Sequence, residues 1–285
     1  MEPQMADLVS RLEALEAGSG MMGTINGEAF YWWCTALMMA IHAGFLAYEM
    51  GASRAKNVLA SGIKNILAFA FIIPTFFFFG WWIYLAFPGG LIPSADGNAG
   101  LPWNAAMGPN LADNASGIFW AAFTLFSATT ASVFSGAVLE RIRMSAFVPL
   151  SILLGSGVWI MAAAWGWHPD GWLVTEFGYH DVGCAGVLHV VAAAFALGVL
   201  INLGPRIGRF NADGTVNELF PHNVPMALLG LFLILVGFFG FLGGCAIYLS
   251  SEQWVNIYNQ PMTLSAYAFN TLMAMGGGII GAWVF

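Results

Sequence analysis

Charge is what this sequence has least of. Only 8% of its 285 residues are Asp, Glu, Lys or Arg, against about 25% in a soluble domain, while 59% are hydrophobic and mean hydropathy is +0.75. That shortage excludes a water-soluble globular chain and makes the bilayer the constraint that sets the architecture. Positive charge is scarcer still. Eight Lys and Arg against fifteen Asp and Glu leave a formal charge of −7, which excludes a basic footprint for nucleic acid; nor does it point to an anionic membrane surface as partner. Cysteine is sparse too. Cys34, Cys184 and Cys245 form no Cys-x-x-Cys and no even-numbered framework, so they read as small apolar residues and fix no redox compartment. No nucleotide-binding loop, metal cluster or nucleophile–base pair argues for an enzyme, and no cofactor is implied. No ten-residue alternation suggests a barrel. The first twenty residues are polar and acidic rather than a basic start followed by an apolar core, so no cleavable signal peptide is expected.

What the chain has is long apolar runs. A helix needs roughly 20 apolar residues to cross the hydrocarbon core. Seven runs qualify: 29–50, 58–87, 116–139, 145–165, 182–203, 224–249 and 262–285. Backbone groups in lipid must be paired internally, so these runs predict helices and an all-α membrane fold of about seven spans. Basic residues fall in alternate connections. Arg54, Lys56 and Lys64 follow the first span, Arg141 and Arg143 the third, and Arg206 and Arg209 the fifth. The positive-inside bias then places those loops in the cytoplasm and the N-terminus outside.

Chemistry must come from polar and aromatic residues in or beside these helices. His189 sits in Val187-Leu188-His189-Val190-Val191 and is a functional candidate by the cost of an ionisable group in a span; a packed core histidine is the alternative. Asp181 opens the same helix, where a structural N-cap is the plain reading. Trp167, in Trp165-Gly166-Trp167-His168-Pro169-Asp170-Gly171-Trp172, is either an interfacial anchor or one wall of a cation–π vestibule. Phe126, Phe238, Phe239 and Phe241 read as packing residues by default. Before the first span, Met5, Leu8, Val9, Leu12 and Leu15 mark one face of a short amphipathic helix, a surface helix or a short coiled-coil contact.

Several stretches, taken in order, resemble the ammonium transporter family (Amt/Mep/Rh). They are Gly44-Phe45-Leu46-Ala47-Tyr48-Glu49-Met50-Gly51 with Arg54-Ala55-Lys56-Asn57; Gly136-Ala137-Val138-Leu139-Glu140-Arg141; Asp181-Val182-Gly183-Cys184-Ala185-Gly186-Val187-Leu188-His189 with Leu203-Gly204-Pro205-Arg206; Pro221-His222-Asn223-Val224-Pro225-Met226 with Gly237-Phe238-Phe239-Gly240-Phe241; and Asn270-Thr271. They cover nearly all of 29–285, and Trp167-His168-Pro169-Asp170-Gly171-Trp172 with the Arg-Ala-Lys-Asn loop favours the Amt branch.

The resemblance implies an inverted-repeat fold, with residues 1–28 as an extramembrane segment and 29–285 as the transmembrane domain. It implies that Trp167 belongs to the outer ammonium vestibule, that Phe126 and Phe241 are the stacked pair closing the pore, and that His189 is the first of two pore histidines. Asp181 would support the outer site, and Cys245 stands where many members have a serine that accepts from ammonium. It further implies ammonium or ammonia as substrate, membrane lipid around a multi-pass protein of the plasma membrane, a homotrimer, and a cytoplasmic PII-type regulator or a larger membrane complex as partner. Departures are the cysteine at 245, the Asp-Val-Gly-Cys-Ala opening, and a chain that reaches the seventh of the usual eleven spans. Two other readings stand beside transport: an ammonium sensor coupled to signalling, and a non-transporting subunit of a larger complex. A retinal protein is disfavoured because the seventh span has no lysine.

Overall fold

The computed structural model describes residues 2–104, 116–247, 254–258 and 260–284. Its helices are α1 (Glu2–Ala52), α2 (Val58–Thr75), α3 (Trp81–Ala86), α4 (Ser116–Ala137), α5 (Met144–Leu153), α6 (Trp159–Gly166), α7 (Trp172–Phe177), α8 (Val191–Leu203), α9 (Val224–Gly243) and α10 (Leu264–Val284). Among the described residues six helical stretches are long and apolar enough to cross a membrane: 5–52, 55–86, 118–137, 144–166, 185–203 and 224–243. The seventh expected span is α10, a continuous 21-residue helix, made less apolar by Asn270 and Gly276-Gly277-Gly278. Leu249 and Phe285, the expected ends of the last two spans, lie outside the described residues.

Two expectations change in detail. The amphipathic segment and the first span are one unbroken helix, α1, because Gly18, Gly20 and Gly23 each weaken a helix by about 1 kcal/mol but do not stop it without proline. Lys64, counted above among the loop cations, instead lies inside α2 and is 5% exposed.

Three spans are interrupted by a wider i→i+5 turn: Phe76–Gly80 between α2 and α3, Leu154–Val158 between α5 and α6, and Ala185–Val190 ahead of α8. Pro74 and Pro149 precede the first two and remove a ladder donor. The third is entered through Cys184, whose φ of +63° is left-handed. Such bulges re-aim side chains without ending the helix.

α1 and α9 meet along a glycine seam. A Cβ on Gly44 would stand 2.6 Å from the Ile234 nitrogen and 2.7 Å from the Gly230 oxygen. Only small residues permit that approach, and with lipid on both sides close packing is the main force joining helices. α4 is the most enclosed span. Its hydroxyls at Thr124, Thr129, Thr130 and Ser132 donate to carbonyls four residues back, which satisfies them in a buried helix.

Beyond α9 a small antiparallel sheet forms, in the order β1 (Ala246–Ile247), β2 (Trp254–Asn256), β3 (Pro261–Met262). Ala246 pairs with Asn256, and Trp254 with Met262. The sheet leads into Tyr258, whose hydroxyl accepts from the Asp181 amide at 2.8 Å and donates to the Gly166 carbonyl at 2.9 Å. Burial pushes that phenol up to about 12, so it remains a donor at neutral pH.

Candidate functional site

The residues singled out in the sequence converge where α4, α6, α8 and α9 approach one another. Trp167 ends α6 and is fully buried. Its indole N–H donates to the Asp181 carbonyl at 2.5 Å and its own carbonyl accepts from Tyr84 at 3.3 Å. With both polar groups held, the ring faces inward. Its centroid lies 5.6 Å from Phe126 and 5.5 Å from Phe123, the first contact edge-to-face. A belt tryptophan would lie at the periphery instead.

Phe126 on α4 and Phe241 on α9 are both fully buried, with centroids 4.2 Å apart. The rings are tilted by 46° rather than parallel, which lowers the repulsion between two negative ring faces. On the far side of Phe241 stands His189, 5.9 Å away and 6.3 Å from Phe238. His189 lies in the wide turn before α8 and is half-buried; its backbone N–H donates to the Cys184 carbonyl at 3.2 Å, while its imidazole forms no hydrogen bond among the described residues. Ala185 and Ala193, four residues to either side, are exposed. The imidazole therefore borders the open side of the helix rather than a closed interface.

Cys245 follows α9 and is 1% exposed. Its thiol donates weakly to the Phe241 carbonyl at 3.5 Å and lies against the Cys184 thiol and the Tyr267 hydroxyl. With the S–H committed, the sulfur offers only a weak acceptor to a ligand.

Asp181 caps the broken helix. Oδ1 accepts from Ala185 N–H at 2.8 Å; Oδ2 accepts from Gly186 N–H at 2.8 Å, Val187 N–H at 2.9 Å and the Tyr179 hydroxyl at 3.2 Å. A carboxylate has about four acceptor sites, so capping leaves at most one lone pair free, on a side chain 7% exposed. The neighbouring His168 accepts the Asp170 N–H at Nδ1 and packs on Tyr84. Burial lowers its pKa, which keeps it neutral near pH 7.

Two polar clusters were missed in the sequence. Glu49 on α1 is fully buried, and its Oε2 lies 3.1 Å from Lys64 Nζ on α2 and accepts from Ser135 at 2.8 Å. Lys64 also donates to the Ser135 carbonyl at 2.7 Å and sits 5.3 Å over the Phe147 ring. Seven residues before Glu49, His42 carries a buried Nε2 with no partner among the described residues, beside a cavity of about 240 Å³ lined by Asn65, Phe69 and Ser132. The cost argument that flagged His189 applies equally to all three.

The second cluster ties the basic loops together. Glu140, whose side chain is buried and whose φ is +61°, receives Arg54 N–H at 2.7 Å, Arg54 Nε at 2.9 Å and Asn57 Nδ2 at 2.8 Å, and lies 3.7 Å from Arg206. Burial would raise its carboxyl, but the bonds from Asn57 and Arg54 outweigh this and hold it below the usual carboxylate range. The connections after the first, third and fifth spans thus meet at one end of the molecule, as the charge bias predicts.

A family profile, Ammonium Transporter Family, matches residues 29–285. Ammonium transporter Amt2 of Archaeoglobus fulgidus is 30% identical over 260 residues, covering 87% of this chain and 51% of that protein. The ammonium transporter of Bacillus subtilis is 30% identical over 267 residues, 91% of this chain and 59% of its own length. Among solved structures, one titled Sensor Amt Protein superposes with a TM-score of 0.68 at 28% identity, over 78% of this chain and 55% of that one. Saccharomyces cerevisiae Mep2 gives 0.62 at 23% identity, over 76% and 49%. The chain spans about half the length of the curated relatives it matches. On the extent of the profile match, this multi-pass membrane chain belongs to the ammonium transporter family.

Proposed function

We propose that the chain takes part in moving ammonium or ammonia across the plasma membrane, with ammonium recruited at an outer aromatic vestibule and passed along a hydrophobic, histidine-bordered path. One observation carries this reading: a continuous series of rings runs from the buried Trp167 through Phe126 and Phe241 to His189, at 5.6, 4.2 and 5.9 Å. Aromatic faces attract a cation by their quadrupoles, and Cys245 adds a weak acceptor beside them. Phe126 and Phe241 form the gate. Past them the dry surroundings disfavour an ion by several kcal/mol, and His189, whose two ring nitrogens can donate and accept a proton, borders the path. Asp181 positions the outer site through its cap. Residues 1–28 are the extramembrane part and 29–285 the transporter-like domain; the family match begins at residue 29. The assembly is a homotrimer in the plasma membrane, open to a cytoplasmic PII-type regulator or a larger membrane complex, and it is not an enzyme.

The test is methylammonium binding measured beside uptake, on the full-length protein. Trp167→Leu weakens binding by about 0.5–2 kcal/mol, roughly two- to thirtyfold. Unchanged binding would leave Trp167 a packing residue only. A second reading, an ammonium sensor, is favoured by the likeness to the Sensor Amt Protein structure; binding without uptake would select it.

A further inference from the structure

The net charge of the chain is −7, yet one cavity runs against it. It lies between the turn joining α4 to α5 and the loop joining α8 to α9. It has a volume of about 450 Å³ and is lined by Arg141, Pro205, Arg206, Arg209 and Leu219. Three guanidinium groups border it and, among the described residues, no carboxylate does.

The loop holds two of those arginines in place. Gly208 and Gly214 take left-handed turns, with φ of +84° and +83°. Phe210 bridges Val216, and the Asn211 and Asn217 amides bond each other at 2.7 and 3.1 Å. Arg209 N–H donates to the Arg206 carbonyl at 3.0 Å, Asn217 N–H donates to the Arg209 carbonyl at 2.8 Å, and Arg209 Nη1 donates to the Asn217 carbonyl at 2.9 Å. The backbone between Arg206 and Arg209 is therefore a pinned turn.

The charges are not balanced from within. Glu140 is the carboxylate in ion-pair range of this group, 3.7 Å from Arg206, and its oxygens already hold Arg54 and Asn57 at 2.7–2.9 Å. Among the described residues Arg141 and Arg209 have no carboxylate within 4 Å. Arg141 Nε is buried without a partner, and its Nη1 reaches only a 3.4 Å contact with the Gly204 carbonyl. Burial, and then the neighbouring Arg206, both disfavour the charge on Arg141. Like charges gathered in this way are relieved by a bound anion, and planar guanidinium forks match phosphate oxygens two at a time.

Position narrows the source. The cavity sits just beyond the membrane-crossing parts of α4 and α8, at the end where the basic loops meet. Ile207 and Phe220 beside it are 86% and 72% exposed, apolar groups suited to the upper part of an acyl chain. We propose that this cavity binds the phosphate group of an anionic lipid headgroup, with Arg141, Arg206 and Arg209 as its ligands. The site is separate from the Trp167–His189 path and holds whether the protein conducts or senses.

The test is native mass spectrometry of the full-length protein titrated with phosphatidylglycerol or phosphatidylcholine, with inorganic phosphate as a third arm read by thermal shift. Phosphatidylglycerol binds more tightly than phosphatidylcholine. Arg209→Gln, an exposed change, weakens it about tenfold, and Arg206→Gln does so independently. Lys56→Gln removes the same charge away from the cavity and changes binding less than twofold. If inorganic phosphate alone binds with the same dependence on Arg209, the site is a phosphate site supplied from solution rather than by lipid. Equal effects of Lys56→Gln and Arg209→Gln, or no binding of either phosphatidylglycerol or phosphate, would overturn the proposal.

Discussion

Replacing Asp181 by Asn separates a capping role from a ligand role. In the native helix start, four donors converge on the carboxylate: the amides of 185, 186 and 187 and the Tyr179 hydroxyl. An asparagine keeps one acceptor oxygen. Placed at Oδ2 it still serves three donors, but its NH₂ then faces the Ala185 N–H, which loses its partner. Ala185 is exposed, so losing that hydrogen bond costs about 0.5–1.5 kcal/mol, and loss of the negative charge at a helix start about 0.3–1 kcal/mol more. The sum is about 0.8–2.5 kcal/mol, enough to lower the thermal transition of the full-length protein in detergent by a few degrees. The measurement is made without ammonium present, so that ligand stabilisation does not mask it. If Asp181→Asn leaves the transition unchanged and abolishes methylammonium binding, the carboxylate oxygens are free for the ligand, and the capping argument is wrong.

Lys64→Met leaves Glu49 buried and unpaired and should destabilise by about 3–5 kcal/mol, whereas Glu49→Gln combined with Lys64→Met should recover most of the loss; denaturant titration of both variants checks this. Glu140 has a folded pKa below its unfolded value of about 4.3. Its stabilisation is therefore present above that pH and fades as pH falls through the lower folded value. Thermal transitions measured down the acid range should show a step that Glu140→Gln lacks. Gly44→Leu drives a side chain into the α9 backbone and should cost at least about 3 kcal/mol or prevent assembly, scored by yield of monodisperse protein. His189→Ala should change uptake while leaving outer-site binding within about twofold, measured in the same preparation.

Much of the frame was readable in sequence because lipid leaves few alternatives. Apolar length alone places the spans, and the basic residues group their ends. Trp167, Phe126, Phe241 and His189 could be named from local motifs, and they come together because the motifs lie on α4 and α9, at the end of α6 and in the turn ahead of α8. Three things were not legible. The wide turn at Ala185–Val190, which aims His189, depends on how Cys184 and Asp181 start the helix and leaves no periodic signature. The Glu49–Lys64 pair joins residues on two helices, so neither alone reveals a partner, and Lys64 looked like a loop cation because it stands near the start of its helix. The sheet at β2 is three residues long, too short for alternation to register.

The continuity of α1 has a mechanical consequence. At 1.5 Å per residue, its 51 residues make a rod about 76 Å long, while about 30 Å suffices to cross the hydrocarbon. The outer half carries Met5, Leu8, Leu12 and Leu15 exposed along one stripe, and the inner half is locked to α9 by glycines and to α2 by the Glu49–Lys64 pair. A continuous helix whose one proline, Pro3, stands in its first turn transmits rotation and tilt with little loss. Whatever grips that outer stripe therefore has a lever arm on the membrane half, acting on the helix that carries His42 and Glu49.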